Sequence, residues 1–338
     1  MWFFAAIVAL AGLGVTPAAA QSSGIEDRIE QIQSLEVREA VEQIADSWPQ
    51  IIIVASGIIL VLLFAAGVLR PGGFKKSGIR DVKPMPSPMW LFAGMMVLLA
   101  YPVVHGTIAN AEWLHQSFRK DSLEMQVLSQ GGAALAAITI GLCLFWVMAK
   151  TVPQGGLSVG VLDCMMGVLC FLIALPLVQL AGMGSAALYE QIMGEPPARL
   201  AHQTLELIVE QRDHPWAIGL IAVVVLGVPV MEELVFRAGL QSALLRLTGS
   251  PWPSVLVTSL VFTALHYGAI PENGWNAFGQ LFVLSVCIGI AYERTRKLGV
   301  PIAMHAAFNA LTIGLALLSG DPQHATQQPA TDVPGVGG

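Results

Sequence analysis

"WAIGLIAVVVLGVPVMEELVFRAGL", residues 216–240, runs apolar from Trp216 to Met231 and then sets down two adjacent carboxylates and an arginine. The apolar part reads as the middle of a lipid bilayer. Ionised groups there cost about 2.5–3.5 kcal/mol each on insertion scales. Leu or Val would avoid that cost, so Glu232, Glu233 and Arg237 need a reason.

The rest of the chain supports the membrane reading. Of 338 residues, 55% are hydrophobic and 12% charged, with a mean hydropathy of +0.67; soluble domains carry about 25% charged residues. The stretch "IIIVASGIILVLLFAAGVL" (51–69) alone is long enough to span a bilayer, for which about 18 apolar residues suffice. Further spans are expected at Trp90–Val104, Ala133–Met148, Val159–Leu180, Trp216–Phe236, Val255–His266, Ala277–Tyr292 and Val300–Leu318. The expected fold class is therefore all-α: a polytopic membrane helical bundle of about eight helices. A net charge of −6 argues against a nucleic-acid partner, which calls for a basic patch. Membrane lipid and a peptide or protein are the partners expected; oligomeric state is not legible. Cys143, Cys164, Cys170 and Cys287 all fall in apolar runs and read as packing residues.

Small residues Ala18-Ala19-Ala20 follow a short apolar core at the N-terminus, which reads as a cleaved signal peptide (1–20) lacking the usual basic start. Residues 21–48 read as an external amphipathic segment, with Ile25, Ile29, Ile32 and Leu35 on one helical face. Next come N-terminal spanning helices (49–190), an acidic external loop (191–214), a C-terminal core (215–319) and a disordered Gly/Pro tail (320–338). Positive loop charge sets orientation. Arg70, Lys75, Lys76, Arg80 and Lys83 in one connection, and Arg294, Arg296 and Lys297 in another, place both in the cytoplasm. Eight alternating helices then leave both mature ends outside, as in a bacterial inner-membrane protein.

Residues on a helix advance by about 100° each. Glu233 and Arg237 (i, i+4) therefore share a face, while Glu232 lies about 140° from Arg237. One carboxylate can pair with the arginine; the other is aimed elsewhere. Two more apolar segments carry polar residues at helical spacing: Phe262 and His266 in "VFTALHYG", and His305 and Asn309 in "PIAMHAAFNALTIG". Buried polar groups in lipid turn inward and find partners, so the three segments are expected to face one cavity. His105, His115, His202, His214 and His324 read as solvent-facing at loops or helix ends.

"EELVFR", "FTALH" and "HAAFN" match, in order, the EExxxR, FxxxH and HxxxN signatures. Over residues 215–318 the chain thus resembles the CPBP family of intramembrane proteases, which includes CAAX prenyl endopeptidases and the Abi group linked to bacteriocin self-protection. One departure is Ala238-Gly239, where the family often has Gly directly after the arginine. The resemblance implies an endopeptidase in which Glu232 and His266 hold and activate water and His305 and Asn309 stabilise the oxyanion. It implies a positioning role for Glu233 and Arg237, while Phe262 shapes the pocket.

The cofactor is left open between zinc and none. Glu232, His266 and His305 are residue types that zinc accepts, but there is no HExxH helix, and the balance leans slightly to metal-independent chemistry. Two other readings compete: a non-catalytic scaffold or immunity factor, and a proton or cation transporter using Glu232, His266 and His305. Counting along the helices leaves a tension. Glu232 falls deep and His266 near the outer face, unless residues 239–254 bend back into the membrane or the helices are short and tilted.

Overall fold

The computed structural model describes residues 47–70, 72–74, 79–198 and 203–319. The expected signal peptide, most of the amphipathic segment and the tail lie outside these residues. The described residues form helices and no strand. Seven helices are long and apolar enough to cross a membrane: α1 (Ser47–Ala65), α2 (Ser87–Ala109), α3 (Leu123–Thr151), α4 (Val161–Met193), α6 (Ala217–Thr248), α8 (Ala277–Thr295) and α9 (Gly299–Leu318). The shorter α5 (Gln203–Glu210) lies between α4 and α6, and α7 (Pro251–Leu265) between α6 and α8. The chain is a multi-pass membrane protein.

The expected eighth span is the exception. Helix α7 has 15 residues, about 22 Å at 1.5 Å per residue, and ends at His266. The chain completes its crossing on irregular backbone: Trp252 stacks edge-on against Phe74 at one end of the bundle, while Asn273 and Trp275 meet Ala198 and Tyr189 at the other. Helix α6, by contrast, does not stop at Phe236. It continues to Thr248 before Gly249, at φ +64°, turns the chain into α7. This removes the depth tension without a re-entrant loop. Glu232 lies 16 residues before Thr248, and His266 lies 15 after Pro251, so both stand about 22–24 Å above the same turn.

The two basic connections meet at one end of the bundle. The Arg294 guanidinium donates to the carbonyls of Gly67, Val68 and Gly73 at 3.0, 2.6 and 3.2 Å. Arg80 pairs with Glu293 at 2.7 Å. The helices above this basic end cross through small residues, as lipid-embedded helices do when no hydrophobic force drives them together. A Cβ on Gly94 of α2 would meet Gly239 Cα and the Val235 carbonyl of α6, each at 3.1 Å. Gly167 of α4 lies equally close to Val300 and Ala303 of α9.

Candidate active site

Helix α6 is irregular where its charges sit. π-helical turns at Val223–Gly227 and Leu234–Gln241 flank the α-helical stretch Val228–Glu233. The first has a local cause. The Val228 N–H donates to the Val223 carbonyl, five residues back. In the same register the Val224 carbonyl would need the N–H of residue 229, which is proline and has none. Asn309 of α9 supplies the missing donor, its Nδ2 lying 2.8 Å from the Val224 oxygen. The structure thus brings Asn309 to a bared helix carbonyl rather than to the carboxylates. Of its two amide hydrogens one is committed.

Glu233 and Arg237 are fully buried, with Arg237 Nε 3.2 Å from Glu233 Oε2. The N–H does not point along that line, so the contact is ionic without being a hydrogen bond. Arg237 also donates through Nη2 to the Ser285 hydroxyl at 3.0 Å. The other oxygen of Glu233 takes a 2.9 Å contact from His305 Nδ1. An ionised carboxylate only accepts, so the proton of that bond belongs to Nδ1. The opposite ring nitrogen, Nε2, then faces Glu232 Oε2 at 3.7 Å, which is too long for a hydrogen bond. Glu232 Oε2 is buried with no hydrogen-bond partner.

Phe262 stands between these groups. Its ring centroid lies 4.5 Å from that of His266, 5.8 Å from that of His305 and 5.0 Å from that of Phe236, and the Arg237 guanidinium is 5.7 Å from it. His266 Nδ1 donates to the Phe262 carbonyl at 2.8 Å. A carbonyl only accepts, so the neutral imidazole keeps its lone pair on Nε2. Among the described residues no three His, Cys, Asp or Glu side chains stand where they could hold one metal ion. Glu232, His266 and His305 as placed are not a preformed ligand set.

A second buried cluster went unread in the sequence. Arg80 donates to both oxygens of Glu293 (Nη2 to Oε1 at 2.7 Å, Nε to Oε2 at 3.1 Å), to Ser242 Oγ at 2.9 Å and to the Gly155 carbonyl at 2.8 Å. Gln241 donates to Glu293 Oε1 at 2.8 Å, and the Tyr292 ring lies 3.9 Å from the Arg80 guanidinium. Ser242 Oγ in turn donates to the Arg237 carbonyl at 3.1 Å, joining this cluster to the site. As loop charges, Arg80 and Glu293 gave no sign of burial. His105 also departs from its reading: it lies inside α2, half-buried and stacked on Tyr101 at 6.1 Å.

Residues 214–311 match the family described as type II CAAX prenyl endopeptidase, Rce1-like. That match supports a CPBP family intramembrane protease. No curated protein and no solved structure matches the chain. The CPBP region runs from the start of α6 through most of α9 and holds every group of the mid-depth site described above. Helices α1–α4, and with them Arg80, lie outside it.

Proposed function

We propose that the chain is an intramembrane endopeptidase in which Glu232 is the general base. The observation that carries this is the inequality of the two glutamates. Glu233 is held by Arg237 and His305, whereas Glu232 Oε2 is buried, unpartnered and 3.7 Å from His305 Nε2. A buried polar atom without a partner is uncommon and calls for a ligand or water.

In this reading a water beside Glu232 gives up a proton to the carboxylate as its oxygen attacks the peptide carbonyl carbon. His266, its Nε2 lone pair free, steadies that water. His305, oriented by Glu233 through Nδ1–H, acts here as the imidazolium and turns its Nε2–H to the oxygen that becomes negative, with the second amide hydrogen of Asn309 beside it. Collapse breaks the C–N bond, and the proton on Glu232 passes to the leaving amine. Arg237 pairs with Glu233 and holds it in place, and Phe262 sets the spacing of the two imidazoles. No step is routed through a metal. We place the enzyme in a bacterial inner membrane with the basic end in the cytoplasm. Substrate class is left at a peptide bond within the membrane region, without prenyl specificity.

The test compares new peptide termini in cells carrying the wild type or Glu232→Gln at matched levels. The expected result is termini that vanish in the variant, a loss of about 10²–10⁴-fold or more, with protein abundance unchanged. Identical terminal profiles would overturn the protease reading in favour of a scaffold. Repeating the cleavage with a chelator then decides whether zinc belongs in the reaction.

A further inference from the structure

We propose that the seam where α6, α7 and α8 meet, on the basic-end side of the two glutamates, is a buried water-binding site held by Arg237, Gln241, Thr258 and Ser259. The inference stands apart from the endopeptidase reading and does not rest on it. Each of the four residues carries a polar atom that the protein leaves unpaired: Arg237 Nη1, Gln241 Oε1, Thr258 Oγ1 and Ser259 Oγ. None of the four is more than 1% exposed. Buried donors and acceptors without partners are uncommon and costly. The hydroxyls are the sharpest case. Thr107, Thr139, Thr263 and Thr312, also on helices in apolar runs, each donate to the carbonyl four residues back at 2.7–2.9 Å, a common way for a helix to absorb a hydroxyl. Thr258 and Ser259 make no such bond to α7.

Contacts along two regular helices bring the four together. Helix α8 fixes the groups of α6: Arg237 Nη2 donates to the Ser285 hydroxyl at 3.0 Å, and one turn on, Gln241 Nε2 donates to the Gly289 carbonyl at 3.1 Å. On α7, Val255, Thr258, Ser259 and Phe262 stand at i, i+3, i+4 and i+7 and share a face. Phe262 bounds that face at one end, its ring centroid 5.7 Å from the Arg237 guanidinium. Val255 bounds it at the other: a Cβ on Gly289 would stand 3.0 Å from Val255 Cγ1 and 3.1 Å from Gln241 Oε1. Thr258 and Ser259 therefore lie between the levels of Arg237 and Gln241, and the bare backbone of Gly289 leaves room beside Gln241 Oε1.

The donor set selects water. A guanidinium only donates, an amide oxygen only accepts and hydroxyls do either; a buried water takes about three such partners. A cation would meet the Arg237 charge, and an anion the oxygens of Gln241 and Glu233. Water bound here solvates the same guanidinium that Glu233 Oε2 pairs with directly, 3.2 Å from Nε.

The experiment is X-ray hydroxyl-radical labelling of the full-length protein in lipid nanodiscs, read by mass spectrometry. The radicals form from water where it sits, so a side chain labels according to the water beside it. Val255, Val178 and Val300 are equally buried and share one chemistry, but Val178 and Val300 pack in the apolar core of α4, α8 and α9. Expected is labelling of Val255 severalfold faster than of Val178 and Val300; equal rates overturn the proposal. Thr258→Val combined with Ser259→Ala removes two of the four partners and should bring Val255 down to the rate of the other two valines. Undiminished labelling of Val255 in that variant also overturns the proposal, since water would then reach the seam by opening of the helices rather than by binding. Exposed Trp113 labelling as in the wild type reports that the variant is folded; if it is not, the comparison of the three valines in the wild type decides alone.

Discussion

Glu232 and Glu293 are carboxylates in adjoining polar clusters of the bundle, and their surroundings are opposites. Glu293 accepts from Arg80 Nε, Arg80 Nη2 and Gln241 Nε2, between 2.7 and 3.1 Å. Glu232 Oε2 accepts nothing. Both glutamates carry the cost of leaving water, but only at Glu293 do fixed partners offset it. A saturated carboxylate is a joint of the fold, here tying the 79–86 segment to α6 and α8. An unsaturated one at mid-bilayer depth is retained for something that arrives from outside the fold. Between these two carboxylates, the contrast is what supports the proposal of Glu232 as the base.

Paired substitutions give the sharpest way to break that contrast. Glu293→Gln keeps volume but leaves the Arg80 charge buried and unpaired, which costs about 3–5 kcal/mol. Thermal unfolding in detergent should show a large drop in Tm, whereas Glu232→Gln should leave Tm in place and abolish cleavage. Equal Tm losses from the two would erase the distinction between joint and base. A smaller effect is expected at the α2–α6 crossing. Gly94→Val pushes a side chain against the backbone of Gly239 and Val235, an overpacking cost of about 1–3 kcal/mol. Thermal unfolding should show a matching fall in Tm, and an unchanged Tm would mean that the crossing yields without cost. The least effect belongs to Lys297, whose half-exposed ammonium meets Asp163 at 2.8 Å. Lys297→Ala leaves the buried Asp163 carboxylate without its cation and should cost about 1 kcal/mol, and an unchanged Tm would mean that the first turn of α4 alone holds that carboxylate.

The legible parts of the site are those where chain spacing and space coincide. Glu233 and Arg237 face each other because i, i+4 on a helix are neighbours whatever surrounds them. The polar residues of three apolar segments turn toward one another because lipid gives them nowhere else to go. Helix ends were less legible. Apolarity stops at Met231, but α6 runs on to Thr248 because Arg237, Gln241 and Ser242 find partners on α8 and the 79–86 segment. Val255–His266 has the composition of a span, yet its helix stops at mid-depth. Asn309 looked like a reagent, and its first task is to satisfy a carbonyl that Pro229 cannot.

The amino-acid sequence determined on its own the helical class, the membrane setting and the three polar segments of the CPBP region, because hydropathy and the 3.6-residue period act locally. Only the tertiary structure decided which glutamate is satisfied, where Asn309 points, and that Arg80 joins the buried polar groups through Glu293 and Ser242. Arg80 and Glu293 are 213 positions apart. No local period links residues so distant; their meeting is set by how whole helices cross, and those crossings depend on where glycines let backbones touch.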